Sequence, residues 1–244
     1  MANITPKSKR NPWRNTRRDY DIPWDSIKGA ILVFLIPFVI LTLALNLTYR
    51  SSQFYSFYFT RTDVVKDIPF VAEGDDMTHT FSRFMQHRME RFTLTEKSDY
   101  KPQEVFNLRD GQVMYFLRKA LDIQLFIGFI CGLLALIFFI QLYRKGKKAL
   151  LYERFIDSQI LLTVFLAVHM LLCFVVPVRD LLFRYFFGVR FPPGDVLIQI
   201  FQSKLPEYGA VSVLLISLLI LAIFWYLARR FISRRKMFRS ENLY

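Results

Sequence analysis

Two arginine–aspartate pairs stand beside long apolar runs, Arg109-Asp110 ahead of one run and Arg179-Asp180 behind another. Arg184, Arg190 and Asp195 follow the second pair closely. A planar guanidinium holds phosphate or carboxylate through paired N–H donors, so this constellation suits an anionic head at a membrane surface. The competing reading is structural: the arginines and aspartates pair with each other and lock the surrounding segments onto the apolar runs. Other chemistry is sparse. No G-x-S-x-G, H-E-x-x-H, P-loop or C-x-x-C pattern occurs. His79 and His87 fall on an amphipathic stretch, where water is their expected partner. His169 falls inside an apolar run, where intramembrane ionisable groups are often functional but a neutral imidazole bonded to a neighbouring helix is the simpler reading. Cys131 and Cys173 both lie in apolar runs and read as packed thiols. No disulfide, metal or cofactor is expected.

The elements that must position these groups are set by hydropathy. The chain is 53% hydrophobic yet carries a formal net charge of +13, and the two properties are segregated along it. Crossing a bilayer takes ~20 apolar residues, and four runs are long enough: 29–48, 121–143, 156–178 and 209–228. Hydrocarbon offers the backbone no hydrogen bonds, so the runs are helices. The middles of these runs carry almost no charge, which argues against an ion or proton path. The first run is longer than a signal h-region, follows a long polar leader and has no small-x-small site, so it reads as a retained anchor.

Orientation follows from Lys and Arg in the short flanks. Basic residues crowd the N-terminal segment 1–28, the loop 144–155 and the tail 229–239. All three flanks fall on one side, so both termini are expected in the cytoplasm and 49–120 and 179–208 outside. The basic excess suits anionic lipid and needs no nucleic acid. The final residues 240–244 resemble the start of a cleavable tag and are set aside.

Within 49–120, the alternating aromatics of SSQFYSFYFT predict a strand or an interfacial hairpin, and VVKDIPFV a second short strand. Asp75 or Asp76 is expected to cap a helix over MTHTFSRFMQHRMERF, amphipathic through Phe81, Phe84, Met85, Met89 and Phe92. That helix lies either on the outer leaflet or on the protein's own core. Within 179–208, Pro192-Pro193-Gly194 is a turn and Asp195 an N-cap for the short apolar helix VLIQIF. Pro37 is expected to kink the first membrane helix. The fold class read from all this is an α-helical integral membrane protein: four transmembrane helices, cytoplasmic termini, and a small extracytoplasmic cap of short strands plus an amphipathic helix.

The layout resembles the lipoprotein intramolecular transacylase (Lit) family of Gram-positive bacteria. Two stretches carry the resemblance. In VFNLRDGQVMYFLR, Phe106, Arg109, Asp110, Met114 and Arg118 fit the family's pattern before its second helix. In FRYFFGVRFPPGDVLIQIF, Phe183, Phe186, Phe187, Asp195, Leu197 and Ile198 fit its second outer segment. The resemblance implies a plasma-membrane protein that moves an acyl chain from a lipoprotein's diacylglyceryl group to its N-terminal amine, with two histidines as acid–base groups. Here Val113 and Arg184 stand where those histidines would be, and Phe116 replaces an acidic residue. Valine transfers no proton, and arginine stays protonated. Two functions are therefore expected in competition. One is a lipid- or lipoprotein-handling protein, or a divergent acyltransferase, with a site lined by Arg109, Asp110, Tyr115, Arg179, Asp180, Arg184 and Asp195. In it Arg184 binds phosphate or an oxyanion, and Tyr115 or Asp195 moves the proton. The other is a non-catalytic membrane subunit that holds a protein partner through its cap.

Overall fold

The computed structural model describes residues 24–62, 64, 74–95, 104–179, 181 and 196–232. Seven helices are labelled here in chain order: α1 (Trp24–Arg50), α2 (Ser52–Arg61), α3 (Gly74–Met85), α4 (Leu108–Arg144), α5 (Lys148–Phe174), α6 (Val196–Gln202) and α7 (Leu205–Ile232). Four of them, α1, α4, α5 and α7, are long and apolar enough to cross a membrane. Their exposed faces are rich in Leu, Ile, Phe and Val, which suits contact with lipid.

α1 is the central helix, and α4, α5 and α7 pack around it. At one end of the bundle, Lys28 Nζ donates to Gln141 Oε1 at 2.7 Å and Lys145 Nζ meets Asp25 Oδ1 at 2.6 Å. The start of α1 therefore lies beside the end of α4. Phe155 of α5 stacks on Trp225 of α7 at 6.0 Å, so the start of α5 meets the end of α7. Lys28, Arg144, Lys145, Lys147, Lys148, Arg154, Arg229 and Arg230 belong to this basic end. The α4–α5 connection is tight because Gly146 takes φ +73° and the chain closes through Gly146 N–H to Tyr143 O (3.0 Å) and Lys147 N–H to Leu142 O (3.0 Å). Glycine adopts that left-handed conformation without a Cβ clash.

The opposite end carries a cap. Its core joins α2, α3, α6 and the first turns of α4 through Tyr58, Phe81, Phe84, Phe106, Met114 and Leu197, all nearly inaccessible. The rings meet edge to face, as Phe81 does on Phe92 at 5.1 Å and 86°. Residues 51–60 were expected as a strand or an interfacial hairpin; Ser51 is instead the N-cap of α2 and the others are helical. Phe54, Tyr55, Tyr58 and Phe59 are its buried residues, a helical stripe, while Phe57 is exposed. A run with this many aromatics satisfies both periods, and the Ser51 hydroxyl settles it by capping Phe54 N–H. Among the described residues the only β pairing is an isolated bridge, Thr95 to Glu104. The second expected strand, beyond Val64, lies outside the described residues.

α3 packs on the protein's own core, and it stops at Met85 rather than Phe92. His87 N–H bonds Phe84 O at 3.1 Å and Arg88 N–H bonds Arg83 O at 2.8 Å, the same closure that ends α4. Here, however, histidine occupies the left-handed position, with φ +61°. Asp75 and Asp76 sit inside the first turn of α3, where their charge favours the helix dipole. α1 continues through Pro37 as one 27-residue helix.

α4 starts on a capping box: Asp110 N–H donates to Asn107 Oδ1 at 2.9 Å and Asn107 N–H to Asp110 Oδ2 at 3.0 Å. Asn107→Ala is expected to destabilise the cap by about 1 kcal/mol. Hydrogen exchange confined to the first turn of α4 checks this; unchanged protection there would count against the cap.

Candidate functional site

A cavity of about 530 Å³ opens where the cap meets the membrane helices. Tyr49 at the end of α1, Met114 and Leu121 of α4, Cys173 at the end of α5 and Phe201 of α6 form its wall, which is overwhelmingly apolar. Arg179 is its one charged lining residue among the described residues. Arg179 is 6% exposed, so the surroundings fix its guanidinium. Its Nη2 donates to the Gln202 carbonyl at 3.3 Å, and Nη1 lies 3.8 Å from Glu207 Oε1. A fixed, always-protonated group at one wall of an apolar volume suits an amphiphile: chain along the wall, negative or carbonyl oxygen at the guanidinium.

The other sequence-derived candidates divide differently. Arg109 is exposed in the first turn of α4. Asp110 is fully buried and serves the capping box. Tyr115 is half exposed, and its ring lies 5.3 Å from the Arg118 guanidinium rather than on the cavity. Asp180, Arg184 and Asp195, with neighbouring Arg190, lie outside the described residues. Of the seven, the cavity wall takes Arg179. Its α4 wall comes instead from Met114, Phe116, Leu117, Ala120, Leu121 and Gln124. Val113, at a position expected to hold a histidine, is buried in the cap core.

Two tyrosines beside the site are donors rather than bases. Burial pushes the Tyr55 phenol far above its ordinary range, and its hydroxyl donates to Tyr49 O at 3.0 Å. Burial also raises Tyr58, outweighing its bonds to Ser203 and Thr62. Both stay protonated at neutral pH.

Sequence reasoning missed a second polar group at the same end. Arg50 Nη2 meets Asp122 Oδ1 at 2.5 Å, and His87 Nε2 lies 3.0 Å from that same oxygen. Gln86 Nε2 donates to Arg50 O at 2.5 Å. These bonds tie the end of α3 to α1 and α4, and they give the left-handed His87 a reason to be there: the tight helix end aims its ring at Asp122. The residues are 35 and 72 positions from Asp122, a separation that no local pattern reveals. His79 is exposed, and His169 is half-buried in α5 with no hydrogen-bond partner for Nε2 among the described residues. None of the three histidines lines the cavity.

No family model matches the chain, and no curated protein matches it. Solved structures do. The membrane integral lipoprotein intramolecular transacylase Lit from Bacillus cereus superposes with a TM-score of 0.65 at 16% identity, covering 88% of this chain and 98% of that one. A variant of the same enzyme with one histidine replaced by alanine gives 0.64 and 16%, covering 88% and 96%. Identity this low establishes fold rather than activity. The chain is a multi-pass α-helical membrane protein with the fold of the Lit transacylase.

Proposed function

We propose that the protein holds the acyl chain and polar head of a membrane lipid or lipoprotein in the cap-end cavity, with the head at Arg179. One observation carries this: an apolar cavity at the membrane junction whose single charged wall residue, among the described residues, is a buried, fixed arginine. The Lit-like fold supports the same ligand class, since that enzyme is a lipoprotein transacylase. The cap end faces outward, because the opposite end gathers the basic residues that favour the cytoplasmic side. The guanidinium orients a phosphate or an ester carbonyl and stabilises negative charge on it. Acyl transfer also needs a proton acceptor; Tyr115 lies off the cavity wall, which leaves Asp195 as the candidate from sequence.

A second reading is favoured by a specific observation. With Val113 buried in the cap core and no histidine on the cavity wall, the site suits binding without transfer, as in a membrane subunit that presents or senses lipid.

Binding and transfer are measured separately. Arg179→Gln is expected to weaken retention of a diacylated lipopeptide, followed by native mass spectrometry, by about 10- to 100-fold, the worth of one charge-assisted hydrogen bond. Its melting temperature shows whether the fold survives. Full retention by a folded variant rejects the Arg179 site. An N-acylated lipopeptide product supports transfer; tight binding without product supports the second reading.

A further inference from the structure

A second cavity, of about 490 Å³, lies in the basic half of the bundle among α1, α4, α5 and α7. It exists because α4 packs on α1 and hardly touches α5, and because Gly132 and Ala135 leave its α4 wall thin. The lining is apolar apart from Arg154. The Arg154 stem crosses α1 at Gly29, where an added Cβ would sit 3.1 Å from its Cγ. Its Nη1 donates to Asp157 Oδ2 at 3.1 Å, while its Nε is buried and has no partner among the described residues. That Nε is closed off against α1 at Gly29, whereas the side chain as a whole is 30% exposed, so its terminal nitrogens remain reachable at the cavity.

We infer that this cavity binds one acyl chain of a glycerophospholipid with an anionic head, drawn from the leaflet at the basic end, with the phosphate at Arg154. The volume falls within the ~300–1,000 Å³ typical of small-molecule sites. Charge complementarity selects the head. Basic residues at this end outnumber the acidic Asp25, Glu153 and Asp157, and two of those three already pair with Lys145 and Arg154. Each basic residue near a membrane surface attracts anionic lipid by ~1 kcal/mol. A guanidinium that donates one N–H to Asp157 keeps further terminal N–H groups to donate to a phosphate oxygen. Arg154 is far along the fold from Arg179, so the two sites load independently.

The test uses the full chain in mild detergent, titrated with phosphatidylglycerol or phosphatidylcholine of identical acyl chains. Bound lipid is counted by native mass spectrometry, and stabilisation is read as a melting-temperature shift. In the Arg179→Gln background, which disables the cap-end site, one phosphatidylglycerol is expected to remain. Gly132→Leu fills the cavity and leaves every charge in place; a Cβ there meets only Val39 methyls, at 3.8 and 4.0 Å. It is expected to remove that lipid and weaken binding at least tenfold, as is Arg154→Gln. Ala135→Leu is the alternative filling variant if Gly132→Leu does not fold. Three results overturn the inference: phosphatidylcholine binding equally well, inorganic phosphate alone giving the same thermal shift, or the filled variants keeping phosphatidylglycerol while Arg154→Gln loses it. The last would make the effect surface charge alone. Loss of lipopeptide binding in Arg179→Gln with this site intact would leave both readings standing.

Discussion

Gly128→Leu is expected to yield almost no monodisperse protein in mild detergent, and Gly128→Ala a clearly lowered melting temperature. Gly128 is the point where α4 presses on α1. A Cβ there would stand 2.5 Å from Thr42 Cγ2, 3.0 Å from its Cβ and 3.1 Å from its Oγ1. All three are atoms next to the backbone, so no flexible end can swing aside. In lipid, helices associate through such close packing rather than through the hydrophobic effect, which makes the contact hard to replace. One inserted methyl costs ~1–3 kcal/mol in a packed interior, and a leucine side chain drives the helices apart. Because α1 also carries α5 and α7, the damage spreads through the bundle. Size-exclusion profiles and thermal melts decide it. A leucine variant melting within a few degrees of wild type would show that α1 and α4 do not approach as described.

Arg118→Leu is expected to open the cap while leaving the membrane helices assembled. Arg118 is 8% exposed. Its Nη1 donates to Phe84 O at 3.2 Å and to Met89 O at 3.1 Å, and its guanidinium lies 4.2 Å from the Phe84 ring centre. One side chain on α4 thereby holds both the end of α3 and the segment after it. Removing it strips a charge-assisted bond from two carbonyls and a cation–π contact from the ring, a loss of about 3 kcal/mol. Hydrogen exchange should rise over residues 84–92 and stay unchanged in α1, α5 and α7. Arg118→Lys should recover part of the protection, because an ammonium lacks the planar fork that reaches two acceptors. Uniform exchange across the whole chain, or none, would contradict the assignment.

Much of the bundle could be read from the chain because hydrocarbon imposes one rule: four long apolar runs must be helices. The cap was harder. SSQFYSFYFT fits two periods, and the Ser51 cap together with burial of Tyr55 and Tyr58 against α3 and α6 selects the helix. α3 ends early because its C-terminal closure uses a histidine where glycine is usual, so no sequence signal marks the stop. The start of α4 was legible in principle, since Asn107 and Asp110 have capping-box spacing, but the apolar run marks only the part that faces lipid. At the site, charge and position singled out Arg179, whereas the cavity it faces depends on four helices meeting. Arg118 fitted a family pattern, yet its role as a clamp rests on carbonyls 29 and 34 residues away. The Asp122 group went unread for the same reason. Asp180, Arg184 and Asp195 remain expectations from sequence.

α4 runs unbroken for 37 residues from the cap to the basic end. At ~1.5 Å per residue that is about 55 Å, against a hydrocarbon core of ~30 Å. One rod therefore spans the bilayer and still carries the floor of the cap-end cavity. Met114, Leu117 and Leu121 on that rod form one side of the cavity, while Arg179 on the other side is anchored to α6 and α7. The two sides of the pocket thus hang from different supports, one on the rod that crosses the bilayer and one on α6 and the first turn of α7.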